Sequence, residues 1–308
     1  MKPSSTETYT SPIDLIITYV NGSDRSWISD YVKATKTHNP TAVRFRSWGT
    51  LRYLLRGVEA YMPFIRRVIL VVAKKSQVPV WINRDTVRVV YHKDFIPEEF
   101  LPTFNSCTIE SFFWRIPDLA DRVIYLNDDM FPIDTTTEDD FFTGDIPHIT
   151  FTEPCRYSAR NIFRCQCRSS INMITHALEL PDFDAGMIVR PGHISGVMTS
   201  TSLDAIGELC QDALPATISR LRLPRNVNQY IYAYYHYFTG TYINESVNYE
   251  YYEITEKTVA GIADDILQSK YQMACINDSD RIKDFPKVRQ ALLTCFEKKF
   301  PDMSKYEI

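Results

Sequence analysis

Two adjacent carboxylates, Asp128 and Asp129, directly follow the apolar run Val-Ile-Tyr-Leu and Asn127. The run is typical of a buried strand, so the carboxylates stand at its carboxyl end. Paired carboxylates in such a place can hold a divalent cation that also touches a diphosphate. Asn and Asp also favour simple turns, and from this stretch alone a turn is the simpler interpretation.

A second polar cluster, Asn21-Gly22-Ser23-Asp24, follows the apolar stretch 13–20, which predicts the first strand. In open α/β sheets, ligands bind at the carboxyl ends of the strands. The two polar clusters could therefore line one crevice, although they lie far apart in the chain.

The sequence holds no GxxxxGK[ST], GxGxxG, GxSxG or HExxH pattern, so P-loop, Rossmann, serine-hydrolase and zincin interpretations have no support. Phosphate binding would have to rely on arginines and strand-end amides. Arg44, Arg46, Arg52 and Arg56 cluster in "RFRSWGTLRYLLR". A solvated helix face is the alternative, and it fits Arg56 better than Arg46.

His193 stands alone in the glycine-containing loop "RPGHISGVM". An imidazole with a pKa near neutrality suits removal of a proton from a sugar hydroxyl. A histidine without a catalytic role is the alternative for this residue.

Strand and helix patterns alternate through the first 130 residues. This predicts an α/β fold with a mostly parallel, twisted sheet covered by helices, and a more helical C-terminal half. The aromatic stretch 229–239 predicts a helix whose rings pack in the core, with a base-stacking platform as the weaker alternative. Predicted strands span 13–20, 68–72, 87–92 and 123–126, and predicted helices span 51–61, 108–116, 168–180, 202–212, 229–239 and 286–300.

The 308 residues carry a net charge of −4 and seven scattered cysteines. The charge gives no footprint for nucleic acid, and no apolar run reaches the length of a membrane span. An odd number of cysteines at low density is more typical of a protein in the reducing cytoplasm than of a disulfide-stabilised one. We expect a disordered tail over residues 1–12, then a single catalytic domain over 13–308. The oligomeric state stays open, as does docking at the inner face of a membrane.

Four regions of the chain carry distinctive motifs. They are "IDLIITYVNGSD" (13–24), the stretch 44–131 with "LPTFNS" and "YLNDD", "HISGVM" through "RLRLPRN" (193 onward), and "CINDS" (275–279) with "FPDMSKYE". Together they resemble the Stealth family, the sugar-phosphate transferases of microbial capsule synthesis that are related to the animal N-acetylglucosamine-1-phosphotransferase. The combination of these motifs in this order is specific, and the resemblance covers nearly everything from residue 13 onward.

The resemblance implies a nucleotide-sugar-transferase-like fold and transfer of a sugar 1-phosphate. The donor would be a UDP-sugar, often a UDP-N-acetylhexosamine, and the acceptor would be a hydroxyl of a saccharide. The products would be a phosphodiester and UMP, with Mg²⁺ or Mn²⁺ as the expected cofactor. Phosphoryl transfer depends mainly on positioning and charge neutralisation, which carboxylates, arginines and a base can supply.

Carried onto matching positions, the resemblance implies a site drawn from both halves of the chain. Asp128 and Asp129 would hold the metal, and His193, Asp128 or Asp129 would be the base. Arginines would neutralise the diphosphate oxygens. The expected catalytic residues are Asp128, Asp129, His193, Arg168 and Arg222, and the expected substrate-binding residues are Asn21, Gly22, Asp24, Arg46, Arg52 and Asn105.

This chain departs from the family pattern at several positions. Ser47-Trp48-Gly49-Thr50 replaces acidic residues, Asn226 stands where an acid is usual, residues 72–77 lack the usual turn, and "HISGVM" lacks a proline. Two alternatives therefore remain beside the phosphotransferase. One is a metal-dependent glycosyltransferase that releases UDP, and the other is a carbohydrate-binding relative that has lost catalysis.

Overall fold

The computed structural model describes residues 11–36 and 42–308, and its central element is a five-stranded sheet. The strands, numbered in chain order, are β1 Ile13–Thr18, β2 Ile65–Val72, β3 Val87–Tyr91, β4 Arg122–Asn127, β5 Met130–Pro132, β6 Phe142–Thr143, β7 Ile146–Pro147, β8 Cys155–Arg156, β9 Met187–Ile188, β10 Gly196–Thr199, β11 Tyr249–Glu253 and β12 Met273–Asn277. The sheet order is β10-β4-β1-β2-β3, with β4, β1, β2 and β3 parallel and β10 antiparallel to β4.

Helices cover both faces of this sheet. The α-helices are α1 Arg25–Thr35, α2 Ala42–Phe45, α3 Leu51–Tyr61, α4 Ser106–Glu110, α5 Ile162–Ala177, α6 Ser200–Leu209, α7 Leu214–Thr217, α8 Tyr230–Thr239, α9 Val259–Leu267 and α10 Phe285–Lys299. Short 3₁₀ helices span Lys75–Gln77, His92–Asp94, Glu98–Phe100, Phe113–Arg115 and Glu138–Asp140.

Successive residues of β1 point to opposite faces and so enter two separate cores. Leu15 and Ile17 pack with α3, α9 and α10, whereas Ile16 packs with α5, α6 and α8. Burial on both faces explains why the strands of this sheet are continuous apolar runs. The predicted α/β class, the mostly parallel sheet and the more helical second half are confirmed.

A second sheet, of order β11-β12-β5, lies beside the first. β11 and β12 are parallel, and β12 is antiparallel to β5. β4 ends at Asn127 and β5 begins at Met130. Asp128 and Asp129 are therefore the whole link between β4 of the first sheet and β5 of the second.

The sequence predicted some elements well and missed others. The helix 51–61 is confirmed to the residue, while the strand predicted over 13–20 ends at Thr18. The helix predicted over 108–116 is wrong in extent, because α4 stops at Glu110 and a 3₁₀ turn follows at Phe113–Arg115.

Helix α1 was missed, because its sequence reads as a polar stretch. Asp24 caps it by accepting a hydrogen bond from the Ser26 N–H, and Trp27 and Tyr31, one turn apart, are its buried residues. A cap followed by two aromatics at i and i+4 was the available signal.

The aromatic helix packs in the core, as expected. In α8, Tyr230, Tyr232 and Tyr234 are at most 4% exposed. The predicted tail falls outside the described residues over residues 1–10, and the single-domain organisation stays a prediction. None of the helices within residues 11–36 and 42–308 is long and apolar enough to cross a membrane.

Two helical glycines give a matched test of this packing. A Cβ at Gly57 in α3 would lie 2.5 Å from the Pro132 carbonyl oxygen of β5, whereas a Cβ at Gly261 in α9 would meet nothing within 4 Å. We expect Gly57→Ala to lower the free energy of unfolding by about 1–3 kcal/mol. Gly261→Ala should raise it by up to about 1 kcal/mol, since alanine favours the helix. Urea denaturation measures both, and equal shifts of the same sign would contradict the close approach of α3 to β5.

Candidate active site

A cavity of about 680 Å³ opens at the carboxyl ends of β1 and β4. Thr18 and Asn127, the last residues of these two strands, are paired in register, which puts both strand ends at one edge of the sheet. The volume is in the range of small-molecule sites. Five of the predicted site residues line the cavity, namely Arg46, Asp128, Asp129, His193 and Arg222.

The two carboxylates at the junction of the sheets are in an unfavourable state without a cation. Burial, and then the charge of Asp129, raise the pKa of Asp128 to about 7. Burial raises the pKa of Asp129 to about 6, and the nearby Asp278 adds to the effect. The Oδ1 atom of Asp129 is buried without a hydrogen-bond partner among the described residues.

This donor set fits a divalent cation. A cation beside the Asp129 Oδ1 atom would supply its missing partner and favour the ionised form of both carboxylates. The described residues contain no group of three or more His, Cys, Asp or Glu side chains arranged to hold a metal. Mg²⁺ is commonly held by only one or two carboxylates, with water and substrate phosphates as further ligands, so a pair is sufficient.

His193 is held by aromatic residues at the cavity wall. Its Nδ1 atom is 2.6 Å from the Tyr230 hydroxyl, and its ring also contacts Phe163 and Tyr251. Burial, and then the charge of Arg222, lower the pKa of His193. The imidazole is therefore neutral at pH 7, the state that can accept a proton.

Arg222 and Arg44 present positive charge to the same cavity. Neither forms a salt bridge within the described part of the chain. Arg222 donates to the Ser106 hydroxyl, and its Nε is buried without a partner. Partial burial and then Arg222 lower the pKa of Arg44. Two neighbouring guanidinium groups without a carboxylate partner are suited to bind an anionic group such as a phosphate.

Arg46 lines the cavity, but its guanidinium is already engaged. It donates through Nε and Nη2 to both carboxylate oxygens of Asp278, with an Nε to Oδ2 distance of 2.6 Å. The indole N–H of Trp48 donates to the same carboxylate at 3.0 Å. In the segment 47–50, where the resemblance expects acidic residues, Trp48 thus helps to hold Asp278.

Glu110 is a cavity residue that the sequence analysis did not select. It is 4% exposed, accepts hydrogen bonds from the Gln229 N–H at 2.9 Å and the Tyr125 hydroxyl at 3.3 Å, and has a pKa raised by burial. Its signal in the sequence was a lone carboxylate within the apolar stretch "TIESFFW". Arg44 was noticed in the arginine cluster but was not selected either.

The polar turn after β1 points away from the cavity, and Asn21, Gly22 and Asp24 do not line it. Asp24 caps α1 and accepts hydrogen bonds from Ser76 and from Gln77 at 2.9 Å. The side chain of Asn21 accepts from the Ser23 N–H. A Cβ at Gly22 would lie 1.9 Å from the Phe45 carbonyl oxygen, so this position needs glycine for packing. The expected donor contacts of these residues are not supported by this arrangement.

Asn105 is buried and ties α4 to the loop that carries Arg222. It caps α4, and its Nδ2 donates to the Asn226 Oδ1 and to the Ser219 carbonyl, both at 3.0 Å. It does not line the cavity, so the expected substrate contact is replaced by a structural role. Asn226 takes part in this connection by accepting the hydrogen bond from Asn105.

Arg168 and Arg52 are also outside the cavity. Arg168 donates to the carbonyl oxygens of Phe183, Asp184 and Met187 at 2.6–3.1 Å. Its guanidinium therefore holds the segment after α5 and is not directed at a phosphate. Arg52 stacks over Trp81 at 5.0 Å, and its side chain is 39% exposed.

The chain is similar in sequence to several known proteins. The family model described as Stealth protein CR2, conserved region 2, matches residues 44–149. The capsular polysaccharide phosphotransferase WcwK of Streptococcus pneumoniae is 26% identical over 96% of this chain and 98% of its own length. The exopolysaccharide phosphotransferase cps2G of Lactiplantibacillus plantarum is 28% identical over 96% of each chain.

An exopolysaccharide phosphotransferase of Streptomyces coelicolor is 31% identical over 87% of this chain and 47% of its own length. A solved galactosyltransferase, LgtC in complex with donor and acceptor sugar analogues, overlaps 95% of this chain and 98% of its own at 11% identity. Its TM-score of 0.38 is too low to carry an argument. Residues 44–149 are thus similar to conserved region 2 of the Stealth proteins, and nearly the whole chain is similar to capsular and exopolysaccharide phosphotransferases.

Proposed function

We propose that this protein is a phosphotransferase of capsule or exopolysaccharide synthesis that transfers a hexose 1-phosphate from a UDP-sugar to a saccharide hydroxyl. The observation that carries the proposal is one cavity that combines Arg44 and Arg222 without carboxylate partners, a neutral His193 and the paired carboxylates Asp128 and Asp129. The names of the relatives support the same chemistry. An N-acetylhexosamine as the donor sugar rests on the family resemblance alone.

His193 is the base in this proposal. With Nδ1–H donating to the Tyr230 oxygen, Nε2 keeps its lone pair and makes no other hydrogen bond among the described residues. The acceptor hydroxyl gives its proton to Nε2, and its oxygen forms a bond to the β-phosphorus of the donor. The bond from that phosphorus to the bridging oxygen breaks, and UMP leaves with the bridging oxygen and its electron pair.

The arginines and carboxylates neutralise charge around this reaction. Arg44 and Arg222 bind the diphosphate oxygens and stabilise the charge that develops on UMP. Asp128 and Asp129 would hold a Mg²⁺ or Mn²⁺ ion, which neutralises diphosphate charge when bound. Glu110 lies within electrostatic reach of Arg222 and, when ionised, would attract its guanidinium.

We place the reaction in the cytoplasm. All seven cysteines are unpaired, which supports a reducing compartment. The proposal includes peripheral docking at the inner face of the membrane only because a capsule acceptor would be reached there.

The nucleotide product tests the reaction directly. Purified protein with a panel of UDP-sugars, Mn²⁺ and oligosaccharide acceptors should release UMP, measured by ion-exchange chromatography. Asp128→Asn and His193→Ala should each lower the rate at least about a hundredfold, the scale of acid–base catalysis. His176→Ala, an exposed histidine on α5, is the matched control and should keep the rate. Release of UDP in place of UMP would establish the glycosyltransferase alternative instead.

Nucleotide affinity tests the arginines. Arg44→Ala and Arg222→Ala should each weaken UDP binding about tenfold or more, because each removes a charge-assisted contact to phosphate. Arg225→Ala is the control, since Arg225 is exposed in the same loop. Arg168→Ala should lower the melting temperature while UDP affinity stays close to that of the wild type. Calorimetric titration measures affinity, and a loss for Arg168→Ala as large as that for Arg222→Ala would overturn the structural role given to Arg168.

The dependence of protein stability on pH and on Mn²⁺ tests the metal site. The pKa values of Asp128 and Asp129 rise from 3.8 to about 7 and about 6 in the folded protein. Without metal, the protein should therefore lose stability as pH rises from about 4 to above 7, because folding disfavours the ionised forms. At pH 8, Asp129→Asn should raise the melting temperature without metal and abolish the rise that Mn²⁺ gives the wild type. Asp145→Asn, at an exposed position, should change neither value, and a Mn²⁺ response retained by Asp129→Asn would exclude this residue as a ligand.

A further inference from the structure

One face of strand β11 lies beside His193. β11 is an outer strand of the three-stranded sheet, and Tyr249, Tyr251 and Glu253 lie on the same side of it. The Tyr249 hydroxyl is hydrogen-bonded to the backbone of His193, the Tyr251 ring lies 5.6 Å from the His193 ring, and Glu253 lines the cavity. Tyr252, on the opposite side, instead donates to Asp265 at 2.8 Å.

Tyr251 differs from the other aromatic neighbours of His193 in its exposure. Its surface is 44% exposed, whereas that of Tyr230 is 4% exposed. Its hydroxyl makes no hydrogen bond to another described residue, and its ring meets the His193 ring at an interplanar angle of 62° and not in a parallel stack. An open aromatic ring next to a candidate base is a surface on which the apolar C–H face of a sugar ring can pack.

Charge separates this side of the cavity from the arginine side. His193 lies within electrostatic reach of Arg222, and Tyr251 within that of Asp129 and Glu253. The pKa of Glu253 is lowered to about 2 by hydrogen bonds from Arg281 and Ser279, so this carboxylate is ionised at neutral pH. A diphosphate is attracted to Arg44 and Arg222, whereas Glu253 is paired with Arg281 and this pair offers little net charge to an anion. An uncharged ligand rich in hydroxyl groups fits the Tyr251 side, because a carboxylate accepts hydrogen bonds from hydroxyls.

We propose that Tyr251 and Glu253 form the acceptor subsite, where the ring of a neutral saccharide packs on Tyr251 and one of its hydroxyls reaches Nε2 of His193. This inference rests on the proposed function and specifies which substrate lies on which side of the base. It makes the acceptor a neutral saccharide in the part that enters the cavity.

A purely positioning role for Tyr251, acting through His193, is the competing explanation. The two roles differ in kinetics. Loss of an acceptor contact raises the saccharide KM, whereas a displaced base lowers kcat and shifts the pH profile for every acceptor.

The test measures total nucleotide release by the full chain with Mn²⁺ as the saccharide concentration is varied. The probes are methyl glycosides of glucose, galactose and N-acetylglucosamine, with methyl glucuronide as the charged comparison. Tyr251→Ala should raise the KM of the neutral glycosides at least about tenfold, while the UDP-sugar KM changes less than about threefold. Tyr251→Phe should restore the wild-type KM, and Tyr252→Phe, the matched control on the other face, should not change it. Glu253→Gln should reduce the difference in KM between the neutral glycosides and methyl glucuronide.

An unchanged saccharide KM for Tyr251→Ala, or a fall in kcat with a shifted pH profile, would overturn the acceptor subsite. The assay counts UMP and UDP together, so the KM comparison tests the role of Tyr251 whichever nucleotide is released. If the product is UDP, the proposed phosphotransferase activity is overturned, but the acceptor subsite is still tested. If no glycoside turns over, saturation-transfer NMR with the same probes decides. Loss of the glycoside signals in Tyr251→Ala, with the UDP signals retained, supports the subsite. Glycoside signals equal to those of the wild type, or no glycoside signal from the wild type itself, overturn it.

Discussion

The chain leaves the parallel sheet at Asn127 and enters the second sheet at Met130, so both flanks of the Asp128–Asp129 link belong to hydrogen-bonded strands. β4 is paired with β1 on one side, and β5 with β12 on the other. A link of two residues between two paired strands leaves little freedom, and burial of the strands carries the link inward with them. The position of the carboxylates follows from this connection, and the other cavity residues are arranged around it.

Burial of these carboxylates explains the electrostatic character of the cavity. Burial raises the pKa of both acids, the charge of Asp129 raises that of Asp128 further, and one oxygen of Asp129 lacks a partner among the described residues. In the same cavity, Arg222 and Arg44 lack salt-bridge partners within the described residues, although acids also line it. Such unmet polar groups destabilise a ligand-free protein and would become favourable with the proposed cation and phosphate bound, which is typical of a binding site and not of a structural ion pair.

The second sheet gives the cavity two chemically different sides. β12 leads to Asp278, which holds Arg46 and Trp48, and β11 places Tyr251 beside His193. His193 therefore has Arg222 within electrostatic reach and aromatic rings around it. In the proposed reaction, a base in that position would have the charged donor at the arginines and the neutral acceptor at the aromatic side.

The sequence by itself determined the four parallel strands of the sheet, but not β10, and it indicated the centre of the candidate site. Buried parallel strands need continuous apolar runs, so β1, β2, β3 and β4 could be recognised locally, and polar residues directly after β4 identified the ligand edge. The sequence analysis missed helix α1 because only two residues in its three turns, both aromatic, are buried. It missed Glu110 because a single acid in an apolar stretch carries no spacing information. Only the tertiary structure decided which arginines are free. Arg168 and Arg46 look equivalent to Arg222 in the sequence, yet three carbonyl groups hold the first and Asp278 holds the second. The partner of a long, flexible side chain is set by what packing brings within hydrogen-bond distance, and those neighbours come from distant parts of the chain.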